Sequence, residues 1–237
     1  MYRLEKRALD VPFLFEGDDP NLSGASSVDL SSKVKTMLDV LVLGNGILSI
    51  KRADGVTRNL QRCYFSGGMG EQNYPDRHMK TVLSFVALDP FFYDQDPQEV
   101  TFTSGSVPTR LFFPVPPLIL APSAVFSEQT ITNPGVQTWP VWTITGPGDS
   151  ISLINNTSDR RFMWSGTLLE DDVLVIDTIP LYKTVRLNGS NSWDQVPVGY
   201  EDLWPLDAGA NNVMVTIANS TAATTATCEY YPRYNSL

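Results

Sequence analysis

The sequence predicts a mainly β protein with one helix, divided into two domains. Three features lead there. Apolar residues recur at a spacing of two through most of the chain, the period of a half-buried strand. Helical spacing occurs once. A proline-punctuated apolar stretch, TRLFFPVPPLILAP, breaks the strand pattern near the middle.

The first element is ALDVPFLFE, where Leu9, Val11, Phe13 and Phe15 alternate with polar or small residues and Pro12 marks an edge or a bulge. A polar, Gly/Ser-rich loop runs from Gly17 to Ser27. The helix follows at about residues 29–43: Val34, Met37, Leu38 and Leu41 share one face, Asp29, Ser31 or Ser32 caps its start, and Gly44 or Gly46 ends it. A helix with one apolar stripe covers the sheet of its own domain. ILSIKRADGVTRNLQRCYFSGG reads as a hairpin turned at Asp54-Gly55. On its second strand Leu60, Arg62 and Tyr64 point one way, and Gln61, Cys63 and Phe65 the other. MKTVLSFVAL is apolar at nearly every position, the pattern of a strand covered on both faces.

That strand stops at Asp89-Pro90 and restarts as Phe91-Phe92-Tyr93-Asp94. Further on, Pro114, Pro116, Pro117 and Pro122 forbid a helix and a central strand, so residues 104–122 read as an extended crossover between an N-terminal domain, 1–103, and a C-terminal domain, 123–237. The second domain alternates short strands with turn signals, Gly146-Pro147-Gly148 and Asn188-Gly189 among them, as an all-β sandwich or barrel does. The two halves show no internal repeat.

The formal charge of -9 argues against a surface that reads nucleic acid, because phosphate affinity needs clustered Lys and Arg. No segment approaches the roughly 20 apolar residues of a membrane-spanning helix. Without a secretory signal, Cys63 and Cys228 are expected as buried free thiols, and the five Asn-x-Ser/Thr patterns carry no weight. Expected catalytic, metal and cofactor sites are none. His78 is the single histidine and stands in no nucleophile-elbow context, LGNGIL and SGGMGEQ read as turns, and the acidic pairs lack a calcium-loop pattern. Trp139, Trp142, Trp164, Trp193 and Trp204 all fall in the second half, where they read as core or interface residues or as sugar-stacking platforms.

Several pieces, in order, resemble the distal tail protein family of siphophages, the long non-contractile-tailed bacteriophages, also called minor tail proteins. VTRNLQRCYFSGG, the strand closing in ALDPFFYD, the crossover TRLFFPVPP, TITNPGVQTWPVWTITGPGDSISLINNTS, LLEDDVLVIDT and LWPLDAGANNVMV each resemble a family run. Asp171 stands where the family often has Gly, which implies a different turn type there. The resemblance implies two β-sandwich domains, the first carrying the helix and the second galectin-like. It implies a structural virion protein rather than an enzyme, a baseplate hub whose homohexameric ring joins the tail tube to the tail tip. Expected partners are the tail tube protein, the tape measure protein and tail-tip hub or tail fibre proteins, with the genome passing through the lumen and no sequence-specific nucleic-acid contact. The expected location is the virion tail tip, after assembly in the bacterial cytoplasm. Pro90, Phe91, Phe92 and Tyr93 would then wedge a junction between domains or between ring neighbours. Galectin sugar-binding motifs are absent, so the second sandwich reads as a docking platform; a carbohydrate-binding module aiding adsorption to the host wall, using some of the tryptophans, stands as the alternative, and a β-sandwich glycosidase as a third reading.

Overall fold

The computed structural model describes residues 6–16, 35–37, 39, 41, 44–68, 72–73, 78–103, 127–180 and 182–237. The chain forms two compact units, one of Met1–Gln95 with Tyr234–Leu237, the other of Asp96–Arg233. The change of unit therefore comes eight residues ahead of the expected domain limit at 103. Residues 104–126, including the proline crossover, lie outside the described residues.

The first unit contains β1 (Arg7–Glu16), β2 (Gly46–Lys51), β3 (Thr57–Gly67), β4 (Gln72–Asn73), β5 (His78–Ala87) and β6 (Phe92–Asp94). β1 is an edge strand paired along its whole length with β5, and Pro12, opposite Val82, sits where a missing N–H is tolerated. Leu9, Val11 and Phe13 are more buried than Ala8, Asp10 and Pro12, as the spacing of two requires. Residues 35–37, 39 and 41 are helical, with Met37 and Leu41 half-buried and Lys35, Thr36 and Asp39 exposed. The rest of the helix expected at 29–43 lies outside the described residues.

Two strands depart from the expected pattern. On β3, Leu60 and Cys63 both enter the core, although they should face opposite ways. Arg62 has φ of 52°, and Gln61 and Arg62 together oppose the single residue Ile47. This β-bulge adds one residue and returns Cys63 to the face of Leu60. On β5, Thr81, Leu83, Phe85 and Ala87 are buried, whereas Val82 is 47% exposed, so one face of this apolar strand meets solvent.

The second unit contains β7 (Gln98–Thr103), β8 (Ser127–Asn133), β9 (Val141–Thr145), β10 (Gly148–Asn155), β11 (Arg160–Leu168), β12 (Val173–Asp177), β13 (Thr184–Leu187), β14 (Ser190–Asn191), a 3-10 turn at Trp193–Gln195, β15 (Gly209–Ala218) and β16 (Thr225–Tyr230). One sheet has the order β11-β10-β15-β8 and the other β14-β13-β12-β9-β16-β7. They enclose a single core, to which β9, β12, β15 and β16 each contribute alternate residues. β7 pairs with β16 over six residues and buries Phe102 in that core, which is why residues 98–103 belong to the second unit. β7 and β8, the strands on either side of the proline run, both belong to this unit.

β17 (Arg233–Tyr234) follows, and Tyr234 joins the first unit beside β6, so that the sheet runs β1-β5-β3-β6-β17 with β2 on β3 and β4 on β5. No helix among the described residues is long and apolar enough to cross a membrane.

Candidate functional site

The expected junction residues sit on an interrupted strand. β5 pairs with β3 from Cys63 to Gly67, and β6 resumes pairing with the same strand from Arg58 to Leu60. Between Ala87 and Phe92 the chain inserts Leu88-Asp89-Pro90-Phe91, against only Gln61 and Arg62 on β3. A strand cannot absorb that excess without leaving the ladder, so the chain bulges outward and Pro90 falls where no ladder N–H is needed. Leu88 N–H donates to Arg62 O at 3.2 Å as pairing ends. Asp89 then holds the bulge: its carboxylate accepts the Phe91 N–H at 3.2 Å and the Tyr93 hydroxyl.

The four aromatic-segment residues divide between two roles. Phe92 is buried with Leu60, Cys63 and Ala87 in the core of the first unit. Pro90, Phe91 and Tyr93 are half-buried. The Arg7 guanidinium lies over the Phe92 ring, 4.7 Å from its centre.

Residues 234–237 fasten to this region. The Tyr234 hydroxyl donates to Asp94 Oδ2 at 3.0 Å, and the Arg58 guanidinium lies 3.7 Å from the centre of the Tyr234 ring. Arg7 Nη2 donates to Asn235 O at 2.7 Å, and Arg58 Nη1 donates to Ser236 O. Two cations and one tyrosine thus hold the returning chain beside β6.

In the second unit the aromatic residues are structural. Trp142, Trp164 and Trp204 are fully buried; Trp142 meets Phe102 and Trp204 with ring centres 5.7 and 5.8 Å apart. Indole N–H groups buried at such sites need acceptors. Trp164 Nε1 donates to Ser192 Oγ at 3.0 Å and Trp204 Nε1 to Leu153 O at 3.2 Å. Trp193 packs against the core, and Trp139 is half-buried with the Lys183 ammonium 5.8 Å from its ring centre.

The titratable groups tell a similar story. Cys63 and Cys228 are buried free thiols, and burial pushes both above the ordinary thiol range. Hydrogen bonds from the Asn188 amide and the Leu169 N–H hold the Asp172 carboxyl below its usual range. Asp171 beside it has φ of 67°, in a turn closed by the Asp172 N–H to Leu169 O at 3.2 Å. Aspartate tolerates this left-handed conformation, which glycine also adopts. Among the described residues no three His, Cys, Asp or Glu side chains gather as metal ligands. His78 starts β5 opposite Glu16, and Asp18-Asp19 lies outside the described residues.

With both sheets of the second unit in place, comparison with known proteins becomes informative. Residues 135–234 match the siphovirus-type tail component, C-terminal domain. The matched residues run from just before β9 to β17. The chain also shares its fold with the SPP1 Dit (gp 19.1) protein, a paradigm of the hub adsorption apparatus in Gram-positive-infecting phages: TM-score 0.58, 10% identity, 97% of this chain and 92% of that one. A chain of the phage P2 baseplate, in its activated conformation with Ca, gives a TM-score of 0.49 at 9% identity, over 97% of this chain and 80% of that one. No curated protein sequence matches.

Proposed function

We propose that this chain is a structural hub protein of a siphophage tail, without catalysis, and that six copies close into a ring joining the tail tube to the tail tip. The observation that supports this most is the tail-component match over residues 135–234, within a fold shared along 97% of the chain with SPP1 Dit. The first unit forms the ring and the galectin-like second unit faces outward as a docking platform. Partners are the tail tube protein, the tape measure protein and tail-tip or fibre proteins, and the place of action is the virion tail tip.

Ring closure uses one heterologous interface repeated around an axis, and such interfaces favour aromatic patches outside the domain core. Phe92 is committed to the core, so the junction role narrows to Pro90, Phe91 and Tyr93. The acidic balance of -9 suits a lumen through which DNA passes without adhering. Mass photometry with negative-stain imaging, on the chain alone and after addition of tail tubes, tests the reading. Six-fold rings in either sample support it. Monomers in both, with no tube-end decoration, refute it.

A further inference from the structure

We propose that Asn45 is a site of spontaneous covalent modification, converting to aspartate or isoaspartate in the folded chain, while Asn188, which shares its Asn-Gly sequence, is guarded by the fold. Asn-Gly occurs twice in the chain, at Asn45-Gly46 and at Asn188-Gly189. In such a dipeptide the glycine carries no Cβ beside its nitrogen, so that nitrogen can approach the asparagine side chain closely. All four residues are exposed, so water reaches both sites.

The reaction uses only the chain and water. The Gly46 nitrogen gives up its proton and attacks Asn45 Cγ, forming an N–Cγ bond. The Cγ–Nδ2 bond breaks, and ammonia leaves with a proton from solvent. Water then opens the resulting cyclic imide at either carbonyl, which gives aspartate or isoaspartate. The net change is one water consumed and one ammonia released, with nothing oxidised or reduced. The attack requires the amide to turn its face toward the glycine nitrogen, so whatever fixes the amide slows the step.

The two sites differ in what holds that amide. Asn188 Oδ1 accepts the Val173 N–H at 2.9 Å, and Nδ2 donates to Asp172 Oδ1 at 2.7 Å. The Asn188 backbone N–H also donates to Val173 O, at 2.9 Å. Turning toward Gly189 would break both side-chain bonds, one of them charge-assisted. Asn45 stands between Gly44, with φ of 98°, and Gly46, outside helix and strand, and its amide has no hydrogen-bond partner among the described residues. A Cβ built on Gly46 would meet nothing within 4 Å, so the approach is open. The product is a new carboxylate one residue ahead of β2. Isoaspartate also lengthens the main chain just before Gly46 pairs with Cys63.

The test holds the full chain at mildly alkaline pH, with and without denaturing urea, and follows both asparagines by tandem mass spectrometry of a proteolytic digest. Isoaspartyl methyltransferase labelling marks the isoaspartate fraction. In the folded chain Asn45 should convert at least about 10-fold faster than Asn188, because only Asn188 must give up two net hydrogen bonds. In urea the two rates should converge. Gly46→Ala, whose added Cβ meets open space, should keep the fold and slow Asn45 several-fold while leaving Asn188 unchanged. Equal rates at both sites in the folded chain, conversion of Asn45 in urea alone, or an Asn45 rate that Gly46→Ala leaves unchanged would each overturn the proposal.

Discussion

Replacing Tyr234 by alanine should loosen the first unit and spare the second. Three contributions are lost. The hydroxyl bond to Asp94 at 3.0 Å is worth about 1 kcal/mol net. The Arg58 guanidinium, 3.7 Å from the ring centre, contributes about 1 kcal/mol at a half-exposed site. Half-burial of the ring against the Leu60–Phe92 cluster adds roughly 1 kcal/mol more. A loss of about 3 kcal/mol, in a unit of roughly 100 residues, lowers its melting point by about 12–24 °C. Tyr234→Phe removes only the hydroxyl and should cost about a third as much. The assay separates the units by composition, because all five tryptophans lie in the second unit. Tryptophan emission then follows the second unit alone and hydrogen exchange on β3 and β5 the first, while far-UV circular dichroism sums the two. The expected result is an early dichroism transition with an unchanged tryptophan transition. Equal shifts in both signals, or no change in β3 and β5 exchange, would refute the assignment of residues 234–237 to the first unit.

Three further predictions follow the same logic. Gly166→Ala forces a Cβ into the Trp164 ring, so it should destabilise the second unit by about 1–3 kcal/mol, read from the tryptophan emission midpoint in urea. Cys63 and Cys228 should resist a thiol reagent at pH 8 in the native chain and react at once in denaturant; rapid native labelling of Cys228 would contradict its burial. The Asp172 carboxyl is held below its unfolded value, so its contribution is present above the ordinary carboxylate range and is lost as pH falls through the lower, folded value. Asp172→Asn should therefore flatten the acid side of the second unit's stability profile, as measured by urea midpoints at several pH values.

Turns and periodicity were the legible part of this sequence. Asn188 and Gly189 both take positive φ, 48° and 80°, the backbone an Asn-Gly hairpin demands, and their β13–β14 hairpin forms where the dipeptide indicates. Leu9, Val11 and Phe13 behave as a spacing of two requires. Of the five tryptophans, for which core, interface and sugar-stacking readings were all open, three are buried in the core and Trp193 packs against it. The less legible features depend on partners distant in sequence. Val100 and Phe102 mark β7 as a strand, but only the pairing with Thr225–Tyr230 decides its unit, and that choice is non-local. The bulge at Arg62 carries no glycine to announce it, so simple alternation misassigned Cys63. A mostly apolar run such as MKTVLSFVAL cannot report that Val82 faces solvent, because apolar surface outside the core leaves no mark in the pattern.

The return of residues 234–237 to the first unit has a consequence for synthesis. The first unit is begun before Asp96 and finished only after Arg233, so everything in between must leave the ribosome before its sheet gains β17. The second unit, by contrast, is contiguous and can fold as soon as it emerges. The residues that complete the first unit, Tyr234–Leu237, thus follow directly on those that complete the second, so each unit is finished within a few residues of the other. A copy cleaved just after Arg233 would keep all of the second unit and lose the residues that fasten the first.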